Sequence, residues 1–268
     1  MKLPEKKIRE LDIKIDKLRE KFKRSEDFET FEAVFDTLTL MTVYDLANSR
    51  YIDILNGVVS TGKEANVYWA VSPDGEDLAV KIYRTSTADF KKMYIYIVGD
   101  PRFKAYKKKT HAMVYLWAQK EFKNLHAAHA CGVRVPKPIV VKKNVLVMEF
   151  IGEQGVPAPL LKDVRLKRPK PFFEKVILYM TYLFQKAELV HADLSEYNIM
   201  VYNNEPVFID LSQAVQLSHP NSLDFLVRDI KNIYNYFMRY ISIPSIEELF
   251  KKITGLSADE YPIIFENT

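Results

Sequence analysis

A run of polar residues in the second half of the chain has types and spacing that suit metal-assisted group transfer. The run is His191-Ala192-Asp193-Leu194-Ser195-Glu196-Tyr197-Asn198, and Ile209-Asp210 follows at the end of the next apolar stretch. Phosphoryl transfer needs one carboxylate to orient the attacking hydroxyl, and an amide oxygen and a second carboxylate to hold metal ions. Asp193, Asn198 and Asp210 supply that set in the required chain order. A histidine beside an aspartate is by itself more often a structural hydrogen-bonded pair, so the prediction of ATP- and magnesium-dependent chemistry depends on the whole ordered pattern.

A second motif, earlier in the chain, suits a loop that covers phosphates. The sequence Ser60-Thr61-Gly62-Lys63-Glu64-Ala65-Asn66-Val67-Tyr68 lies between two predicted strands. Against the kinase pattern Gly-x-Gly-x-x-Gly-x-Val, Gly62 and Val67 keep their places. Ser60 and Ala65 replace the outer glycines, so the loop should be less pliable. The residues predicted to bind nucleotide here are Ser60, Thr61, Gly62, Lys63, Glu64, Ala65 and Val67.

Lys81 is the candidate lysine for the nucleotide phosphates. It ends the apolar strand segment Ala79-Val80-Lys81, where a lysine can contact two phosphates while paired with a helical glutamate. Glu121, in a predicted helix over 114–130, is the expected partner, and Glu64 in the loop is a competitor. The alternative for Lys81 is an ordinary surface lysine.

A hinge for the adenine base is predicted at the end of a later strand. Backbone groups of Glu149 and Ile151 would bond the adenine edge, and Met148 would line the back of the pocket. A strand end followed by glycine is common, so this assignment depends on its place in the chain order.

The order of elements predicts an α+β protein with a trimmed, two-lobed, protein-kinase-like fold. Residues 1–50 should form an N-terminal helical extension, because apolar residues recur there at alternating steps of three and four. Residues 51–150 should form a sheet-rich lobe with the nucleotide loop, and residues 151–268 a helical lobe with the catalytic and metal-binding motifs. The strands predicted in the sheet-rich part are Ile54 to Val59, Ala65 to Val71, Leu78 to Tyr83 and Val145 to Phe150.

Composition restricts the class of protein. A hydrophobic content of 48% with 28% charged residues is typical of a folded globular chain rather than a disordered or fibrous one. No apolar run reaches the roughly 20 residues that span a bilayer, and the N-terminal residues are charged, so a cytoplasmic location without membrane contact is expected. The one cysteine, Cys131, is expected to be structural, in a buried turn.

Four motifs together resemble the RIO family of atypical serine/threonine protein kinases, in its first subfamily. They are the sequence at 60–68, Pro157-Ala158-Pro159-Leu160, the run at 191–198 and Ile209-Asp210-Leu211-Ser212-Gln213-Ala214. The resemblance implies ATP and Mg²⁺ as ligands, with Mn²⁺ as an alternative ion, and a role in maturation of the small ribosomal subunit and its RNA. It also implies Lys81 and Glu121 as an ion pair, Asp193 as the catalytic aspartate, and Asn198 and Asp210 as metal ligands.

The chain departs from ordinary kinases after Asp210. Leu211-Ser212 follows in place of Phe-Gly, and no Ala-Pro-Glu occurs later in the sequence. The short stretch after Asp210 is expected to lack both a phosphorylatable activation loop and the helices that hold peptide substrates. The resemblance raises ATPase activity as the main function, with a transient phosphoaspartate at Asp210.

The connection between Lys81 and Glu121 is long and basic, with aromatic residues interleaved. Basic side chains neutralise phosphates and aromatic rings stack on unpaired bases, which favours RNA contact. The alternative is a solvated insertion without a ligand. Since no periodicity is evident between Arg84 and Thr110, we predict a mobile segment there that orders on binding RNA or a partner.

Two rival functions remain open from the sequence. One is a small-molecule phosphotransferase of the aminoglycoside kinase type, which shares the order of the catalytic motifs but is disfavoured by the motif at 60–68. The other is a nucleotide-gated assembly factor without significant kinase activity. The sequence does not indicate the oligomeric state.

Overall fold

The computed structural model describes residues 36–85, 90–98, 100, 102, 110–257 and 260–261. The helices predicted before residue 36 lie outside the described residues. The described residues divide between two compact units. The first comprises 36–85, 110–119 and 138–157, and the second comprises 90–98, 100, 102, 120–137, 158–257 and 260–261.

The first unit is built on a five-stranded antiparallel sheet with the order β1-β2-β3-β5-β4. The strands are β1 (Ile54–Thr61), β2 (Ala65–Val71), β3 (Asp77–Tyr83), β4 (Pro138–Lys142) and β5 (Val145–Glu149). A tight turn at Gly75, with φ of 86°, joins β2 to β3, where a left-handed backbone favours glycine. Two small strands, β6 (Gly152–Glu153) and β7 (Val156–Pro157), pair after the sheet.

A helix closes the apolar face of this sheet. Helix α1 (Thr37–Asn48) begins at Asp36, whose carboxylate accepts a hydrogen bond of 2.8 Å from the Thr39 amide. The buried Asn144 amide donates to the Thr39 hydroxyl oxygen and to the Tyr83 carbonyl, each at 2.9 Å. The helix and the sheet share one hydrophobic core. That core comprises Leu40, Val43, Leu46, Ile52, Leu55, Tyr68, Ala70, Leu78, Val80, Ile82, Val145 and Val147.

The connection after β3, for which the sequence predicts a mobile segment, contains a helix over part of its length. Helix α2 (Phe90–Ile97) buries Met93 and Ile97, which lie four residues apart on one helical face. Its Ile95 carbonyl lies 3.0 Å from His219 Nε2, and the Tyr96 ring lies 5.3 Å from the ring of Phe225. The basic residues predicted to meet RNA at 103–109 lie outside the described residues.

Helix α3 (Thr110–Ala130) follows and belongs to the first unit up to Gln119 and to the second from Lys120. Cys131 comes directly after it, only partly buried, and its thiol donates to the Ala128 carbonyl at 3.2 Å. The thiol therefore helps to end the helix, and burial raises its pKa.

The second unit is mainly helical. Its further helices are α4 (Pro169–Gln185), α5 (Ser222–Phe237) and α6 (Ile246–Thr254), with a 3-10 turn at Leu161–Asp163. Phe237 on α5 packs its ring against those of Phe172 and Phe173, at 6.3 and 5.2 Å between centroids. The strands are β8 (Leu189–Val190), β9 (Ile199–Tyr202), β10 (Glu205–Phe208) and β11 (Val215–Gln216).

One hairpin of the second unit brings the residues that flank its two strands side by side. Strands β9 and β10 pair from Glu205 with Tyr202 to Phe208 with Ile199. Asn203 and Asn204 join them with φ of 51° and 61°, which suits the type I′ turn of a two-residue hairpin. The residue before β9 and the residues after β10 therefore lie side by side. Within the described part of the chain, no helix combines the length and apolar character needed to cross a membrane.

Candidate active site

The β9–β10 hairpin brings Asn198 and Asp210 together with Asp193. The Ile209 amide donates to the Asn198 carbonyl at 3.0 Å, which extends the hairpin by one residue at its open end. The Asn198 side-chain amide donates to the Asp193 carbonyl at 2.8 Å and to Asp193 Oδ2 at 3.3 Å. The three residues of the predicted transfer site thus belong to one local structure.

The environment of Asp193 restrains its ionisation. Burial raises the pKa of the Asp193 carboxyl, and the negative charge of Asp210 raises it further. The Arg228 charge and the Asn198 hydrogen bond act in the opposite direction. A positive ion between Asp193 and Asp210 would remove their mutual repulsion, so the pair is suited to cation binding.

The donor set suits a hard divalent cation. Because the Asn198 amide nitrogen donates to Asp193, its side-chain oxygen remains for a metal ion. The Asn198 amide oxygen and an Asp210 carboxylate oxygen are ligands of the type that bind Mg²⁺ together with the phosphates of a nucleotide. Among the residues that the structure describes, no group of three or more histidine, cysteine or acidic side chains could hold a metal ion. An ion at Asn198 and Asp210 would therefore need the nucleotide phosphates as further ligands.

The backbone that carries Asp193 is fixed by Asp229, which sequence reasoning missed. The amides of Ala192 and Leu194 donate to the two oxygens of the Asp229 carboxylate at 2.8 and 2.9 Å. Ala192 has φ of 64°, a left-handed conformation that costs free energy in any residue except glycine. Burial raises the pKa of Asp229 to about 8, although both amides and the Arg228 charge lower it. An acidic residue amid the apolar positions of α5 was the only sequence signal.

The loop after Asp210 makes the second group of contacts that the sequence did not reveal. The Ser212 hydroxyl donates to Asp210 Oδ1 at 2.7 Å, and the Gln213 side-chain amide donates to Asp193 Oδ2 at 3.0 Å. Asp210 itself has φ of 58°. A single short loop therefore contacts both candidate catalytic carboxylates.

His191 has a structural position. It is 2% exposed, and its Nε2 atom lies 3.1 Å from the Ile209 carbonyl. Nε2 must carry the proton for this bond, because a carbonyl only accepts. Burial lowers the pKa of the imidazole to about 4, so the ring is neutral at physiological pH. Neutral His191 links the run at 191–198 to the strand end that carries Asp210.

The predicted nucleotide loop forms the exposed turn between β1 and β2. Thr61 pairs with Asn66 across the hairpin, and the Gly62 amide donates to the Ala65 carbonyl at 2.9 Å. A Cβ atom on Gly62 would lie 2.9 Å from that same oxygen, so a side chain here would displace the backbone. The exposed residues of the turn are Ser60, Thr61, Gly62 and Lys63, and Glu64, Ala65 and Val67 are partly exposed.

Lys81 is 7% exposed on the central strand β3, between Val67 of β2 and Leu146 of β5. This excludes the surface lysine that the sequence left open. Its Nζ atom lies 5.2 Å from the centre of the Tyr83 ring. Glu121 is 1% exposed on α3, in the part that belongs to the second unit. The ion pair between Lys81 and Glu121 stays a prediction.

The predicted hinge residues lie at the end of strand β5 and directly after it. Met148 and Glu149 end β5, where Met148 pairs with Ala79 and Glu149 with Leu78 of β3. Met148 and Ile151 are buried at 9% and 4% exposure. Their roles toward adenine stay predictions.

Comparison with known proteins gives consistent similarities. A family model described as the RIO domain matches residues 66–249. The chain is 43% identical to the RIO-type serine/threonine-protein kinase Rio1 of Haloferax volcanii over 247 residues, covering 92% of this chain and 85% of that protein. It is 42% identical to the protein of the same name in Methanocaldococcus jannaschii, covering 96% and 89%. The human serine/threonine-protein kinase RIO1 is 40% identical, with 94% of this chain but only 47% of that longer protein covered.

Among solved structures, the Rio2 kinase from Chaetomium thermophilum in its ADP/Mg²⁺-phosphoaspartate complex has a TM-score of 0.60. The match covers 85% of this chain and 70% of that one, at 20% identity. Another crystal structure of the same kinase matches with an equal TM-score and 21% identity. These likenesses confirm the predicted α+β, protein-kinase-like fold.

Proposed function

This chain belongs to the RIO family of serine/threonine protein kinases, and from that premise we propose that it transfers the terminal phosphate of ATP, with magnesium, to a serine or threonine of a protein. The observation that carries the proposal is the joining of Asp193, Asn198 and Asp210 at the open end of one hairpin. An aminoglycoside-type enzyme would share the three side chains, but the close relatives are named as protein kinases.

Asp193 would orient the acceptor hydroxyl. Its Oδ2 atom accepts from Asn198 and Gln213, so the carboxylate is held in one rotamer before substrate arrives. Asn198 and Asp210 would hold the metal ion through their side-chain oxygens. When bound, the ion neutralises charge on the transferring phosphate. Manganese has the same ligand preference and is the alternative ion.

Residues of the first unit would bind the nucleotide. The loop at 60–67 would cover the phosphates with backbone amides and the Ser60 and Thr61 hydroxyls. Lys81 would contact the phosphates, with Glu121 as its ion-pair partner. Backbone groups of Glu149 and Ile151 would bond the adenine edge beside Met148. The burial of Lys81 supports this role, because a buried ammonium group needs anionic partners.

Asp210 is a second candidate acceptor, in competition with serine, threonine and water. The Rio2 kinase from Chaetomium thermophilum has been crystallised as an ADP/Mg²⁺-phosphoaspartate complex. In this chain the Ser212 hydroxyl donates to Asp210 Oδ1, which fixes the orientation of the carboxylate. Attack by a carboxylate oxygen of Asp210 on the terminal phosphorus would form an acyl phosphate and release ADP. Hydrolysis of that acyl phosphate would make the net reaction an ATPase.

A labelling experiment tests both acceptors. The protein is incubated briefly with ATP labelled on the terminal phosphate, with and without Mg²⁺, and the label is mapped. We expect magnesium-dependent turnover that Asp193→Asn reduces by roughly a thousandfold, with ATP affinity kept within a few fold, because the carboxylate orients the nucleophile rather than binding ATP. Hydroxylamine releases label from Asp210 but not from serine or threonine.

Three outcomes would count against the proposal. Turnover that persists without any divalent cation would remove the metal role of Asn198 and Asp210. Equal losses of ATP affinity and turnover in Asp193→Asn would make Asp193 structural. A chain that binds ATP but never turns it over would instead be a nucleotide-gated assembly factor.

We propose that the chain acts in the cytoplasm and that its partner there is a precursor of the small ribosomal subunit with its RNA. Family membership supports the partner, and the basic, aromatic composition of the connection at 84–110 supports contact with RNA.

A further inference from the structure

The loop formed by residues 211–214 determines how both candidate catalytic carboxylates are oriented. Ser212 donates to Asp210 and Gln213 donates to Asp193, at 2.7 and 3.0 Å. A shift of this loop by one ångström would break both bonds, since hydrogen bonds weaken steeply beyond their normal length. Whatever holds the 211–214 loop therefore also holds the site.

Two buried side chains of α3 hold the 211–214 loop through its carbonyl groups. The Lys120 ammonium donates to the Ser212 carbonyl at 2.9 Å and also to the Ala214 carbonyl. The Asn124 amide donates to the Leu211 carbonyl at 2.8 Å and to the Ala214 carbonyl at 3.0 Å. Lys120 and Asn124 lie four residues apart, on one face of the helix.

Lys120 is an unusual residue for such a position. It is 0% exposed, and burial of a charge costs several kcal/mol unless hydrogen bonds and counter-charges offset it. Burial lowers the pKa of Lys120 to about 7, the Asp100 charge opposes this and the Arg102 charge adds to it. Asp100 is itself 3% exposed, with Arg102 bonded to both of its oxygens. An apolar side chain would fill the space without this cost, but it would remove the Lys120 hydrogen bonds to the Ser212 and Ala214 carbonyls.

We propose that Lys120 is a positioning residue for phosphoryl transfer, which fixes the 211–214 loop so that Ser212 and Gln213 hold the Asp210 and Asp193 carboxylates in their reactive orientation. The inference rests on the proposed function. Lys120 acts through the loop and Asn124 shares the task, so the two should contribute to the rate of transfer rather than to ATP binding.

The test compares Lys120→Met with Lys123→Met, a lysine on the exposed face of the same helix. Methionine keeps most of the length and the helix propensity of lysine but cannot donate a hydrogen bond. We expect Lys120→Met to lower kcat at least about tenfold with the Kd for ATP within about threefold, and Lys123→Met to leave both within about twofold. Amide hydrogen exchange of the 211–214 segment should be faster in Lys120→Met alone.

Asn124→Ala provides a second variant in case Lys120→Met does not fold. It removes two bonds to the same loop and no charge, and we expect the same pattern with a smaller loss of kcat. Unchanged kcat and exchange in either folded variant would overturn the proposal, as would a loss confined to ATP affinity. If wild-type protein transfers no phosphate, the proposed function fails, and the exchange measurement still decides whether Lys120 holds the loop.

Discussion

Two side-chain amides donate to the same oxygen of the Asp193 carboxylate. Asn198 also bonds the Asp193 backbone, so it follows the residue wherever its backbone lies. Gln213 comes from the far side of the β9–β10 hairpin and bonds only the side chain. Gln213 is therefore the contact that selects the rotamer of the carboxylate.

Replacement of Gln213 should reduce turnover without weakening ATP binding. In Gln213→Ala the Asp193 carboxylate keeps one amide donor and gains rotational freedom, so we expect kcat to fall about tenfold and the Kd for ATP to stay within about twofold. Steady-state kinetics with ATP titration measure both. Gln216→Ala, on the adjacent strand β11, is the matched control. A normal kcat in Gln213→Ala would show that Asn198 alone orients the carboxylate.

The sequence indicated the candidate catalytic and metal-binding residues more readily than the residues that support them. Asp193, Asn198 and Asp210 were singled out because the proposed chemistry requires fixed residue types in a fixed order. Asp229 and Lys120 bond backbone groups 35 to 94 residues away, and any backbone group offers the same atoms. Because these contacts end on backbone groups, no particular residue type indicates them in the sequence. They could not be found before the fold was known.

At the scale of elements, four of the five strands of the large sheet and the strand over 199–202 were predictable, and the two-residue strands were not. The predictions over 54–59, 65–71, 78–83 and 145–150 are confirmed by β1, β2, β3 and β5. Strand β4 was missed because its partly exposed residues lack clear alternation. Two residues each in β8 and β11 give no periodicity, yet their pairing of Val190 with Val215 connects the strand before the 191–198 run with the segment after the 211–214 loop.

The basic connection at 84–110 allows the most direct test of the proposed RNA partner. If it binds RNA, replacing Lys107, Lys108 and Lys109 by alanine removes up to three phosphate contacts. The slope of log K against log salt should then fall by about two to three. Binding to a single-stranded RNA, titrated at several salt concentrations, measures the slope.

The control for this test is the replacement of Lys170, Lys251 and Lys252, which are exposed and lie on α4 and α6. The net charge changes equally in the two triple variants. Equal slopes in both would assign the salt dependence to overall charge and remove the connection as the RNA site.

For the whole molecule, the buried His191 makes stability depend on pH. Its pKa is about 4 in the folded chain, against an ordinary value of 6.5. The unfolded chain therefore takes up a proton between pH 6.5 and 4 that the folded chain does not. The stabilisation is complete above pH 6.5 and is lost as the pH falls to 4, by about 3 kcal/mol.

Urea denaturation of wild-type protein and His191→Asn at several pH values measures this contribution. The difference in free energy of unfolding should shrink by about 3 kcal/mol between pH 6.5 and 4. Taking the difference cancels other groups, including Asp229, whose raised pKa makes stability fall as the pH rises from about 4 to about 8. A constant difference would mean that His191 is not buried as a neutral ring.

The comparisons with known proteins confirm the protein-kinase-like fold and the enzyme class, and the order of motifs along the chain predicted both. The predicted domain boundaries at 50 and 150 stay predictions. Another part of the fold that the sequence did not reveal is α2, because the run from Met93 to Ile97 is apolar or aromatic throughout and shows no helical periodicity.

The left-handed backbone at Ala192 and Asp210 bears on how this enzyme could be engineered for heat resistance. Each has positive φ, at 64° and 58°, where glycine would relieve strain of order 1 kcal/mol. A search that selects for melting temperature alone would therefore favour Ala192→Gly. The same change would loosen the chain next to Asp193, so selection for stability and selection for turnover should lead to different residues at this position.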